Sequence, residues 1–118
     1  MKTIICGTRE ATPSQALAAV TKAVKESGFV ITEVISGACR GIDWGGERWA
    51  EINKIPFTRY QADWPTFGAK AGPIRNSEMI AAAEQCIALP RKDSKGTRDT
   101  IRKSYDAYGP ERVFVYEL

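Results

Sequence analysis

VITEVISGACRGID, residues 30–43, runs from a β-branched apolar stretch straight into two glycines, an arginine and an aspartate. Residues 30–35 (VITEVI) have the composition of a strand. SGACRGID, 36–43, then admits two readings. It is a tight turn, or it is a strand-to-helix connection whose glycines let backbone N–H groups close on an anion. The flanking sequence decides between them.

Upstream, TIIC at 3–6 is a short apolar strand ended by Gly7. Thr12 and Pro13 then make a helix start, as N-cap and first helical residue. Ala16, Leu17, Val20 and Val24 keep helical spacing towards a stop at Gly28. Downstream, a helix over about 43–53 carries Trp49, Ala50 and Ile52, and IPFTRY at 55–60 reads as a third strand. AGPIRNSEMIAAAEQ, 71–85, is helical with proline near its start, and CIALP, 86–90, is a strand closed by proline. Thr97–Tyr108 places Ile101 and Tyr105 at i, i+4 spacing before Gly109-Pro110, and RVFVYE, 112–117, is the last strand.

Strand and helix thus alternate five times over residues 1–118, with no linker, internal repeat or low-complexity tract. The pattern predicts one α/β domain, a Rossmann-like three-layer sandwich with a mainly parallel five-stranded sheet and helices on both faces. In such sheets ligands bind beyond the carboxyl ends of the strands, near the switch point.

Composition narrows the function. The 118 residues are 43% hydrophobic and 26% charged, as in an ordinary globular domain. No apolar run approaches the roughly 18–20 residues of a membrane span, so no membrane partner is expected. MKTIICGTRE makes a poor signal peptide, and the odd number of cysteines (Cys6, Cys39, Cys86) reads as reduced thiols, so a cytoplasmic location is expected. With no histidine, no zinc site is expected and no cofactor is required, while the composition is compatible with a magnesium ion that arrives with a phosphate ligand. A net charge of +3 is too mild to imply nucleic acid by itself, yet compatible with a small anion.

Four segments follow the strands and carry the chemistry. In CGTR, 6–9, Gly7 and Thr8 offer backbone N–H groups and Arg9 a charge. In the opening segment, Ser36, Gly37, Ala38, Arg40 and Gly41 form the turn into the second helix. There Asp43 either caps that helix, the commoner fate, or accepts ribose hydroxyls. Cys39 is a small filler, since no histidine is present to activate it. ADWPTFGAKAGPIRN, 62–76, reads as a long loop in which Trp64 and Phe67 stack on a base, Lys70 and Arg75 meet phosphate, and Asn76 bonds base or ribose. In PRKDSKGTRDT, 90–100, Gly96 and Thr97 open the last helix, with Lys95 and Arg98 adding charge. Each segment alone is also consistent with an ordinary solvated turn. Their shared edge and shared glycine-plus-cation chemistry point to a nucleotide or nucleotide-sugar pocket.

Laid in order, GTR at 7–9, SGACRGID, ERWA at 47–50, ADW at 62–64, KAGPIRN with Met79, and KGTRDTI at 95–101 resemble the SLOG superfamily. This is the Rossmann-like group of the lonely-guy and Smf/DprA proteins, and the likeness is to its small YspA/cpYpsA-related branch. RNSEM at 75–79 is similar to the lonely-guy RKxxM pattern, which makes Arg75 the matching arginine. The lonely-guy PGGxGTxxE pattern is half kept: Gly96 and Thr97 match, but its glutamate falls on Thr100, with Asp99 one residue before. Threonine cannot take the carboxylate's role beside an oxocarbenium-like ribose.

The resemblance therefore implies two classes of function. One is binding of a nucleotide or an NAD- or ADP-ribose-derived signalling ligand, as a sensor or a phage-type sequestering protein. The other is a nucleotide N-glycosidase, with Asp43 or Asp99 as carboxylate and Arg75 on the phosphate. Single-stranded nucleic-acid binding, as in DprA relatives, is a weaker third, given the mild charge and few aromatics. A homodimer or higher homo-oligomer is also implied by the resemblance.

Overall fold

The computed structural model describes residues 1–118 and confirms the α/β architecture. Five strands, β1 (Lys2–Gly7), β2 (Glu33–Ser36), β3 (Phe57–Arg59), β4 (Gln85–Leu89) and β5 (Val113–Val115), form one sheet in the order β3-β2-β1-β4-β5. All four pairings are parallel. The connections run outward from β1 to β3, then cross to β4 on the other side, so the switch point lies between β1 and β4.

Helix α1 (Pro13–Ser27) starts where Thr12-Pro13 predicts. The Thr12 hydroxyl accepts the Gln15 N–H at 3.3 Å, and Gln15 Oε1 accepts the Thr12 N–H at 3.0 Å. This reciprocal capping satisfies two N–H groups that the helix leaves open, and Gly28, in the left-handed region at φ 68°, ends it. Period-two alternation along the strands sorts the core into two halves. Ile5, Val34, Ile87 and Leu89 face Ala16, Val20 and Ala23 of α1 and Ile42 and Ala50 of α2 (Ile42–Ile52). Ile4, Cys6, Ile35, Cys86 and Ala88 face Met79 of α4 (Ala71–Ala82), the adjoining Ala83, and Ile101 of α5 (Lys95–Tyr108). Each fully buried Ile or Leu contributes roughly 1.5–3 kcal/mol.

The structure departs from the sequence reading at several places: β3 and β5 keep only the middle of the stretches 55–60 and 112–117, and α5 begins at Lys95 rather than Thr97. β2 begins at Glu33 rather than residue 30, because its partner β1 begins at Lys2, opposite Glu33, and offers no strand for Val30–Thr32 to pair with. α4 ends at Ala82 rather than 85, because Gln85 joins the ladder opposite Thr3 and its side chain bonds the Thr3 hydroxyl at 2.7 Å. Most of 62–76 is helical rather than loop. The Asp63 carboxylate accepts the Thr66 N–H at 3.2 Å and caps the short α3 (Trp64–Phe67), with Pro65 in its first turn. A 3₁₀ turn at Gly68–Lys70 then leads into α4. No helix is long and apolar enough to cross a membrane.

Candidate functional site

A cavity of about 550 Å³ opens at the switch point, beyond the carboxyl ends of β1 and β4. β1 brings Cys6 and Gly7, and the following turn brings Thr8, Arg9 and Glu10. Asp43 comes from the first turn of α2, while α4 brings Gly72, Pro73, Arg75, Asn76 and Met79. The turn before α5 supplies Asp93 and Ser94, and the first turns of α5 supply Lys95, Gly96, Thr97, Asp99 and Thr100. Trp64 stands at the mouth, half exposed, with its ring against Gly72.

The buried end is built around Arg75, which is 7% exposed. Its Nη1 donates to Gly37 O at 2.6 Å and its Nε to Asn76 Oδ1 at 2.9 Å. Nη2 donates to nothing in the protein, and Arg75 forms no ion pair. Burying a cation without a carboxylate costs several kcal/mol unless the site supplies a counter-charge. Asp43, 5% exposed, lies close by on the other side of Gly37: a Cβ at residue 37 would sit 2.8 Å from Asp43 Oδ2 and 3.1 Å from Arg75 Nη1. Glycine is therefore required for the two side chains to approach there.

Asp43 is not the helix cap that its position suggested. The N-cap of α2 is Gly41, which provides no side-chain bond, and Asp43 Oδ2 instead accepts the Cys39 N–H at 3.4 Å. Burial pushes the Asp43 carboxyl up to about 6, against the opposing pull of the Cys39 N–H, the Arg75 charge and the Gly7 N–H. Asp99 is set differently. Burial would raise its carboxyl, but bonds from Lys103, Asn76 and Arg102 outweigh that and hold it below the usual range. The Cys6 thiol is pushed well up by its hydrogen bond with Cys86 and by burial, so it is no thiolate nucleophile.

On the α5 side of the cavity, that helix begins without a capping side chain. Ser94, its N-cap, uses its hydroxyl to accept the Arg91 N–H at 2.9 Å. The N–H groups of Gly96 and Thr97 in the first turn are left open towards the cavity, beside Lys95.

The cavity thus gathers Gly7, Thr8, Arg9, Asp43, Trp64, Arg75, Asn76, Lys95, Gly96, Thr97 and Asp99 from the residues singled out in the sequence. Others lie elsewhere. The Ser36 hydroxyl donates to the buried Glu47 carboxylate at 2.6 Å, which also holds Arg59. Gly37 lies behind Asp43 and Arg75. Ala38, Arg40 and Gly41 line a separate concavity of about 380 Å³ beside Trp44, and Lys70 and Phe67 line neither. Glu10, Asp93, Ser94 and Thr100 join the site without having been read as part of it. Their signal was adjacency, since each lies within a few residues of GTR or KGT. Thr100, where the lonely-guy glutamate would fall, spends its hydroxyl on Gly96 O at 3.4 Å.

Fold and cavity define a doubly wound α/β domain with a polar, ligand-sized site at its switch point. The family described as YspA, cpYpsA-related SLOG (YAcAr) matches residues 1–67, from β1 through α3. The chain belongs to the YspA, cpYpsA-related SLOG family, a membership that suggests a nucleotide-related function. It is also 39% identical over 80 residues to the Gene 61 protein of Mycobacterium phage D29, a match covering 63% of this chain and 64% of that protein's length. No solved structure matches the chain.

Proposed function

We propose that the cavity binds a nucleotide or an NAD- or ADP-ribose-derived signalling ligand, and that the protein acts as a sensor or a sequestering protein. The observation that carries this is the pairing of Arg75, buried with Nη2 unbonded and no carboxylate in salt-bridge contact, with the uncapped start of α5 in one cavity. A phosphate on the Gly96 and Thr97 N–H groups and Lys95 would complete the helix end, and the exposed face of Trp64 suits a base. Arg75 would meet a second anionic or ribose group. Any magnesium would come with the ligand's phosphates, which titration with and without a chelator reads directly. Calorimetry with AMP, ADP-ribose and cyclic ADP-ribose is expected to show binding of at least one and its loss in Arg75→Ala. Absence of heat with all three overturns the proposal.

One observation favours a hydrolytic alternative. Asp43 is a buried carboxyl raised to about 6, facing the cavity beside an arginine, as a group that stabilises an oxocarbenium-like ribose or moves a proton would be. Asp99, held by three donors, is a poorer candidate for that role. Incubation with nucleoside monophosphates or NAD followed by chromatography separates the two. Release of free base that Asp43→Asn abolishes supports the enzyme, and intact ligand after long incubation supports binding alone.

A further inference from the structure

Asn76 is 3% exposed, and both ends of its amide are taken up inside the protein. Its Oδ1 accepts the Arg75 Nε–H at 2.9 Å, while its Nδ2 donates to Gly96 O at 3.3 Å and to Asp99 Oδ2 at 3.1 Å. Asp99 is gripped in turn by Lys103 Nζ at 2.9 Å and by Arg102. Arg75 continues the chain to Gly37 O. One run of bonds therefore joins α5, α4 and the turn after β2 at the buried end of the cavity.

We infer that Asn76 is a positioning residue, whose amide holds the Arg75 guanidinium and the first turn of α5 in one fixed relation so that both engage a single phosphate-bearing ligand. This rests on the cavity being a nucleotide site. A guanidinium anchored at Nε and Nη1 keeps its plane, and only its remaining N–H groups face outward. Gly96 O, tied to the same amide, fixes the helix turn whose N–H groups are open. Two anion-binding elements from different helices are thereby set before the ligand arrives, which removes their ordering cost from binding. Asp99 becomes the anchor of Asn76 rather than a ligand contact.

The test joins side-chain NMR of the ligand-free protein with titration by AMP and ADP-ribose. In the wild type the Arg75 Nε–H peak is expected to resist exchange with water. Asn76→Ala is expected to lose that protection and to weaken whichever probe binds by about tenfold to a hundredfold. Asn76→Asp keeps the acceptor for Arg75 but loses the donor to Gly96 and adds a carboxylate beside Asp99. It is expected to restore the Arg75 peak while affinity stays low, a split that a general loss of packing does not produce. Should Asn76→Ala fail to fold, Asp99→Ala removes one of the two α5 acceptors of the Asn76 amide and leaves its bond with Arg75. It is expected to shift the Gly96 and Thr97 amide peaks with Arg75 still protected. Persistence of Arg75 protection in Asn76→Ala overturns the inference, as does unchanged affinity. The NMR arm needs no ligand, so a wild type that binds neither probe overturns the nucleotide reading while Arg75 protection still decides the positioning role.

Discussion

Asp43 holds a carboxyl where its charge is disfavoured. With its folded pKa raised from 3.8 to about 6, the folded chain binds more protons than the unfolded one between those values. Stability attributable to this group therefore falls as pH rises from about 4 to about 6 and is flat above that. Asp43→Asn removes the charge and keeps an oxygen for the Cys39 N–H. It is expected to stabilise the ligand-free protein at pH 7.5 by about 2–3 kcal/mol and to abolish that slope, as thermal melts across pH 4–8 will show. A mutant less stable than the wild type at pH 7.5 contradicts this. Gly37→Ala is expected to cost about 1–3 kcal/mol in chemical denaturation, because its methyl would force Asp43 and Arg75 apart. Both residues stood out in SGACRGID by type and place. The role of Asp43 did not, because its cavity setting depends on Arg75, which lies far along the chain on another helix.

Among the elements, those with local signals were legible. Thr12-Pro13 with Gln15 announces α1, and Gly28 ends it. The boundaries of β2 and α4 were not, since ladder partners in β1 set them. α3 was hidden by Gly68 and Gly72, which read as loop although Asp63 and Pro65 make a valid start. Close packing of α1 on α2 was also invisible: a Cβ at Gly45 would lie 2.9 Å from the backbone of Ala16. Gly45→Ala is expected to destabilise by about 1–3 kcal/mol despite its better helix propensity, because backbone cannot yield as a side chain can. Ser104 offers the reverse case. Its hydroxyl is fully buried in α5 without a partner, so Ser104→Ala is expected to gain about 1 kcal/mol in the same denaturation assay.

For the whole molecule, alternation of strands and helices sufficed for a parallel sheet covered on both faces, but not for the neighbour order that puts β1 against β4. That order decides which loops meet. GTR and KGT flank the switch point and share a cavity, whereas Arg40 and Lys70, equally basic and glycine-flanked, fall outside it. A site placed there couples to the entire fold, since its walls come from β1, α2, α4 and α5. Ligand binding should therefore appear as global stabilisation. A ligand at a hundredfold excess over its Kd adds about 2.7 kcal/mol, and for a chain of this size that is a Tm rise of about 10 °C. The rise is expected with the nucleotide that calorimetry identifies and is expected to vanish in Arg75→Ala. An equal rise in both proteins would place the ligand away from Arg75, and so outside the buried end of this cavity.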